Sequence, residues 1–249
     1  MILIKTAYEI EIMDKANRIV NNVLNEVAQR ISPGVKASLL NEVAESVTKK
    51  LGAKPAFKGY NGYKYSLCVS INDEIVHGMP TPDKIIKEGD IVSIDYGVVY
   101  KGYYGDAAKT IIVGSVDDSI RAFVKTAEDA FYAGLEYMRS GNRVGDISYA
   151  IQSLVEGRGY GVVRDLVGHG IGTSLHEDPP VPNYGRPGTG PEIVEGMVMA
   201  IEPMITMGDY RVIYDKDGWT TRTYDGKPSA HFEYSVAVVD GTYYILGVN

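Results

Sequence analysis

Thr6 and Glu9 have the spacing of a capping box, and behind them Ile10, Met13, Val20, Leu24, Val27 and Ile31 recur along one helical face. The pattern predicts a helix running to the SPGV turn. A second apolar stripe, Leu40, Val43, Ala44, Val47 and Leu51, stops at Gly52, a residue suited to closing a helix. A long Gly- and Tyr-rich stretch follows, and then two apolar runs between Asp90 and Thr110 that read as the arms of a β-hairpin. From Asp117 the plan starts again. Phe123, Val124, Ala127, Phe131, Leu135 and Met138 predict a helix ending at SGNRV, and Ile147, Ala150, Ile151, Leu154 and Val155 predict a shorter one running into GRGYG. Strands are expected at residues 162–167, 197–205 and 232–239, and no Ser-, Pro- or charge-rich linker separates the two parts. The order helix, Gly turn, helix, Gly, strands occurring twice has the form of an internal repeat. The expected architecture is one α+β domain over residues 1–249, with pseudo-symmetric halves of about 1–115 and 116–249 and a sheet packed on helices through one face.

Alternation along the predicted strands isolates three acids. Successive strand residues face opposite ways. Asp95 shares a face with Ile91, Ser93, Gly97 and Val99, against Val92, Ile94, Tyr96, Val98 and Tyr100 on the other. Glu202 goes with Val198 and Ala200, opposite Met197, Met199 and Ile201; Glu233 goes with His231, Ser235 and Ala237, opposite Phe232, Tyr234, Val236 and Val238. In each run one face is bulky enough to pack on helices, while the other is smaller and holds an acid, as a sheet lining a cavity would.

A fourth acid, Asp106, stands on the second arm of the hairpin. If the chain folds back around Tyr100 and Lys101, Asp95 and Asp106 become cross-strand partners with side chains about 5 Å apart. At an effective dielectric near 20 their repulsion is roughly 3 kcal/mol, and burial worsens it. Lys109 is the nearest basic residue in the sequence, and basic residues are scarce beside all four acids. A shared proton or a metal ion would relieve the repulsion. The histidines favour the metal: VGHGIGTSLHEDPP places His169 and His176 in a glycine-rich turn region after a predicted strand, where backbone and ligand can approach closely. Asp95, Asp106, Glu202, Glu233 and one histidine form an oxygen-dominated set suited to Mn, Fe, Co or Zn. Four carboxylates balance two divalent cations, which points to a two-metal centre whose bridging water loses a proton near neutral pH and becomes the nucleophile.

Composition narrows the setting. With 45% hydrophobic and 23% charged residues the chain is an ordinary globular one, and a net charge of −7 argues against a general nucleic-acid or anionic-membrane surface. The opening MILIKTAYEI has too short an apolar run for a signal segment, and no later window approaches a membrane span, so a cytoplasmic location is expected. Cys68 is the only cysteine, which excludes an internal disulfide and fits a reducing compartment.

GYYGDAAKT, GHGIG, LHEDP, AIEPM and HFEYS, in this order and spacing, resemble the type I methionine aminopeptidases, and KPAFKGYNGYKYSLCVSINDEIVHGMP resembles the region before that family's first ligand strand. The resemblance covers essentially the whole chain. It implies the pita-bread fold, a pseudo-two-fold curved antiparallel sheet with helices on its outer face and a dinuclear metal site in its concave face. It implies Asp95, Asp106, His169, Glu202 and Glu233 as metal ligands, with Glu202 also the general base. His77 and His176 would contact the substrate peptide and stabilise the oxyanion, and Tyr60, Tyr63, Cys68, His77, Leu175, His176 and Trp219 would bind the substrate. The implied reaction is removal of an N-terminal methionine from nascent proteins and peptides whose second residue is small. Ribosome-associated chains are the implied partners, and a monomer is the default state. Asn72 and Ser229 match positions that hold a monovalent cation in some members. Where the family usually has histidine after the last ligand, this chain has Tyr234, to which no role beyond support of the site is assigned.

Blander readings leave Asp95 and Asp106 as solvated turn acids, Glu202 and Glu233 as structural ion pairs, His231 as a supporting or structural histidine, and Cys68, Trp219 and the tyrosines as ordinary apolar residues. GHGIG lacks the spacing and acidic partner of a dinucleotide loop. Two rival functions on the same fold are a proline-specific aminopeptidase and a non-catalytic peptide-binding protein. The first usually carries an added N-terminal domain, whereas this chain is expected to begin at the catalytic one, and the five intact ligand positions weigh against the second. The short interval between His169 and Glu202 leaves no room for the helical insertion of the type II enzymes.

Overall fold

Each predicted amphipathic stripe lies on a helix, and the computed structural model, which describes residues 1–248, shows what each one covers. Helix α1 (Ala7–Ala28) is closed by the expected capping box: the Thr6 hydroxyl accepts from the Glu9 amide, and the Glu9 carboxylate accepts from the Thr6 amide. Helix α2 (Ala37–Lys50) stops just before Gly52, whose φ of 73° suits a glycine. Helices α3 (Asp118–Leu135) and α4 (Val144–Gly157) repeat this pair in the second half. Ile31 and Met138 fall outside the helices whose stripes they extend, yet Met138 is fully buried.

Nine strands make the main sheet. Across it run Lys54–Pro55, Ile91–Tyr100, Tyr103–Ile112, Glu233–Val239, Val198–Ile201, Gly168–Gly170 and Glu177–Val181, with Cys68–Ile71 added to Ile91–Tyr100 and Thr242–Ile245 to Glu233–Val239. All of these pairings are antiparallel, and the halves meet where Glu233 pairs with Ala108 and Tyr234 with Ala107. The bulky strand faces are buried against the helices. Val92, Ile94, Tyr96 and Val98 pack with Val20, Leu24 and Leu40 of α1 and α2, while Met199, Ile201, Val236 and Val238 pack with Phe123, Phe131, Ile147 and Ile151 of α3 and α4. Burying one such side chain contributes about 1.5–3 kcal/mol, which favours this facing over its reverse. Tyr234 belongs to this outer layer. It touches both clusters, with its ring 5.6 Å from that of Phe131, so alternation turns it away from the face that carries Glu233.

Four expectations need correction. The hairpin turn is Lys101–Gly102, flanked by the pair Tyr100 and Tyr103, and both turn residues have positive φ (51° and 86°), as a two-residue primed turn requires. Asp95 therefore sits opposite Ala108 and Asp106 opposite Gly97, which makes the two acids diagonal neighbours rather than direct partners. They still share a face. Only Gly161–Val162 of the expected strand near 162–167 is extended, and it pairs outside the main sheet with Met204–Thr206. The run 197–205 breaks at Glu202–Pro203, where proline has no amide to give a ladder, and the run 232–239 begins at Glu233. Lys109, the basic residue nearest the acids in the sequence, donates to Asn25 Oδ1 at 2.7 Å. Among the described residues no helix is long and apolar enough to cross a membrane.

Candidate metal centre

Sheet register assembles the acids. Ala108 lies between Asp95 on one neighbouring strand and Glu233 on the other, and Asp106 is two residues along on the same face. His169 lies opposite Ala200, two residues before Glu202. Alanine and glycine at the intervening positions leave the space into which the longer side chains converge. His169 itself stands on the Gly168–Gly170 strand rather than in a turn, and its two glycines allow that strand to lie against neighbouring backbone. A Cβ on Gly168 would meet Ala200 O at 2.4 Å, and one on Gly170 would meet Asp178 O at 2.1 Å.

Asp106, His169 and Glu233 offer ligand atoms within 4.8 Å of one another, and so do Glu202, His231 and Glu233, with Glu233 common to both groups. Glu202 is held between two imidazoles, Oε1 3.5 Å from His169 Nε2 and Oε2 3.5 Å from His231 Nε2. His169 Nδ1 lies 2.9 Å from the Gly170 carbonyl, an acceptor, so that nitrogen carries the proton and Nε2 keeps its lone pair free. Among the described residues no lysine or arginine pairs with Asp95, Asp106, Glu202 or Glu233. Burial raises the Asp95 carboxyl to about 7 and that of Glu202 to about 8, and it pushes Asp106 and Glu233 well above the ordinary carboxylate range, with their acidic neighbours adding to the effect. The same burial lowers His169 and His77 to about 4, so both imidazoles are neutral at pH 7.

The donor set fits divalent cations. Asp95 Oδ1, Asp106 Oδ1, Glu233 Oε1 and both ring nitrogens of His231 are buried without a hydrogen-bond partner, a cost that cations ligated by carboxylate and imidazole would remove.

Above this cluster lies a cavity of about 210 Å³. Every metal, catalytic and substrate position expected from the sequence lines it: Asp95, Asp106, His169, Glu202 and Glu233 at the base, with His77, His176, Tyr60, Tyr63, Cys68, Leu175 and Trp219 around them. His176 Nδ1 is 2.7 Å from the Tyr60 hydroxyl, and its ring centre is 4.2 Å from that of His169. Tyr63 meets Trp219 edge-on at 5.0 Å, and its hydroxyl donates to Leu67 O and Gly78 O. His77 is reached through a left-handed backbone, φ 59°. Asn72 and Ser229 also come together, the Asn72 carbonyl accepting from the Ser229 amide (2.8 Å) and hydroxyl (3.0 Å).

Two residues escaped the sequence reading, which gives a third only a supporting or structural part. Phe57 and Asn61 line the cavity from the Tyr-rich stretch, where no periodicity singles them out. His231 is 1% exposed and joins Glu202 and Glu233 in the cluster; its shared parity with Glu233 was the available signal.

Buried acids and neutral imidazoles at the foot of a cleft, on a sheet shared by two similar halves, define a metal-dependent hydrolase. The chain belongs to metallopeptidase family M24, whose model matches residues 11–240. It is 48% identical over 240 residues to a methionine aminopeptidase of Clostridium acetobutylicum (96% of each chain), and 46% identical over 246 residues to methionine aminopeptidase 1 of Bacillus subtilis (99% of each). The crystal structure of a methionine aminopeptidase from Thermotoga maritima superposes with a TM-score of 0.98 at 48% identity, covering 100% of both chains. The fold is therefore the pita-bread one, and the protein is an enzyme that hydrolyses peptide bonds with divalent metal.

Proposed function

We propose that this cleft removes N-terminal methionine from peptides and nascent chains whose second residue is small. The observation that carries the reading is the juxtaposition of an apolar, partly enclosed pocket (Phe57, Tyr63, Cys68, Leu175, Trp219) with the cluster of unpaired acids. An unbranched, polarisable thioether suits such a lining. The acids below it favour the α-ammonium of a free N-terminus, so cleavage falls at the first peptide bond.

Asp95, Asp106, His169, Glu202 and Glu233 would hold two divalent ions, Glu233 being common to both ligand groups. Bound there, the ions supply Lewis acidity and make water acidic near neutral pH. Glu202 takes the proton of the attacking water and returns it to the leaving amine. His77 and His176, at the rim of the same cavity, stabilise the oxyanion. The monovalent ion of the same reading belongs at Asn72 and Ser229. The enzyme works as a monomer in the cytoplasm on chains leaving the ribosome.

The test compares Met-Ala-Ser, Met-Leu-Ser and Ala-Pro-Ser before chelation, after it, and after return of Co²⁺ or Mn²⁺. Free methionine released from the first peptide alone, and lost on chelation, is expected. Cleavage of Ala-Pro-Ser would select a proline-specific enzyme instead, and no cleavage of any peptide in restored metal would leave only a binding protein.

A further inference from the structure

The loop that carries His176 is held by one buried acid, and among the described residues the cation paired with that acid is Lys5, from the segment before α1. Glu177 follows His176 directly. Its Oε1 accepts from the Ser174 amide (3.1 Å) and the Thr173 hydroxyl (3.3 Å), and its Oε2 accepts from Lys5 Nζ at 2.6 Å. Both side chains of the ion pair are only 5% exposed, although Thr173, Ser174 and His176 around them are exposed. Lys5 is fixed in turn. Its amide donates to Gly196 O at 2.8 Å, its ammonium donates also to Leu3 O at 2.9 Å, and a Cβ on Gly172 would meet its Cε at 2.5 Å. Lys5 precedes α1 in a segment without secondary structure, and it reaches across to Glu177, the first residue of the Glu177–Val181 strand.

A buried carboxylate stripped of its cation moves towards water or takes up a proton. Either response would release the Ser174 and Thr173 contacts and with them the placement of His176, whose ring otherwise rests on Tyr60 and His169. Neither member of the pair shares a hydrogen bond or ion pair with Asp95, Asp106, Glu202 or Glu233; among the metal ligands His169 is the one on which the Glu177 charge acts. We propose that Lys5 is a positioning residue: through Glu177 it fixes the residue 172–176 loop, and so sets His176 over the reacting bond. The inference rests on the role given above to His176.

The test uses the metal-loaded enzyme on Met-Ala-Ser. It compares Lys5→Ala, Lys5→Arg, His176→Ala and the Lys5→Ala/His176→Ala double variant, with kcat, KM and the dissociation constant of Mn²⁺ measured for each. Lys5→Ala is expected to lower kcat by about 10- to 100-fold, within the range of losing a positioned proton-transfer or oxyanion group, while KM and the Mn²⁺ constant stay within about twofold. Lys5→Arg should restore most of the rate, and the double variant should be no slower than His176→Ala alone. A Lys5→Ala enzyme with wild-type kcat beside a slow His176→Ala enzyme overturns the inference, as do losses that multiply in the double variant. A His176→Ala enzyme at wild-type rate overturns the reading of His176 itself. If Lys5→Ala does not fold, Glu177→Gln keeps an acceptor for Ser174 while removing the buried charge. Its kcat loss should likewise vanish in the His176→Ala background, and a loss that persists there overturns the proposal.

Discussion

Each carboxylate oxygen of Glu202, the base of the proposed reaction, lies 3.5 Å from an imidazole nitrogen, Oε1 from His169 Nε2 and Oε2 from His231 Nε2. An amide at this position keeps the shape but cannot accept a proton. Glu202→Gln is therefore expected to lower kcat by at least about 100-fold, while the melting temperature without metal stays level or rises because one buried acid is gone. Steady-state kinetics and a thermal melt check this together, and a variant at wild-type rate would remove Glu202 from the role of base. His77 shows a different constraint. Its φ of 59° costs a residue with a Cβ about 1 kcal/mol relative to glycine. His77→Gly should thus be more stable than His77→Ala by about that amount while both lose the same activity; equal stabilities in urea unfolding would show that the backbone there is unstrained. None of this strain is legible in the VHGMP run, since a side chain that φ disfavours is kept for what it touches. His231 was half legible. Parity with Glu233 put it on the inner face, but two ring nitrogens with no partner become a fact only once the neighbouring strand is in place.

Helix termini and strand faces were legible because they depend on neighbours three residues apart or on simple alternation: Thr6 with Glu9, or the Val92, Ile94, Tyr96, Val98 stripe against Asp95. Register was less so. A turn at Lys101–Gly102 lies one residue beyond the centre expected near Tyr100 and Lys101, and that single step moves Asp106 from opposite Asp95 to opposite Gly97. Gly102 was the clue, since a primed two-residue turn favours glycine at its second position. The break after Ile201 could have been read from Pro203 on the same grounds. Around His169 the local rule is tighter still, because Gly168 and Gly170 lie against the carbonyls of Ala200 and Asp178. Gly170→Ala has no flexible side chain to push aside, only backbone at 2.1 Å, so the strand must move and take the His169 ring with it. This change is expected to weaken Mn²⁺ binding by at least about tenfold and to lower the melting temperature. Calorimetric titration that returns wild-type affinity would show that His169 does not depend on this packing.

The acids that make the site useful also set how the whole molecule responds to pH. Folding raises the Asp95 carboxyl from 3.8 to about 7 and that of Glu202 from 4.5 to about 8. Without cations the folded state therefore binds protons more tightly than the unfolded chain over this interval. The associated stability is fully present below about pH 4 and is lost as pH climbs through about 7 to 8. At about 1.4 kcal/mol per unit, the loss for one such group is on the order of 4 kcal/mol, a large share of the stability of an ordinary domain. Because the carboxylates are coupled, the losses of several groups do not simply add. Divalent cations reverse the sign, since they bind the deprotonated ligands and only where the fold brings both halves together. Below about pH 6.5 the neutral His77 and His169 act the other way, adding stability as pH rises, so the acids are read above that range: the melting temperature in chelator should fall between pH 7 and pH 8.5, and the increment on adding Mn²⁺ should grow over the same interval. The surface ion pairs do not produce this pattern: Asp209, held down to about 2 by Arg211, titrates well below the window. A chelated protein whose melting temperature is flat or rises from pH 7 to 8.5, or a Mn²⁺ increment that shrinks over that range, would mean that the buried acids are matched by something other than protons and metal.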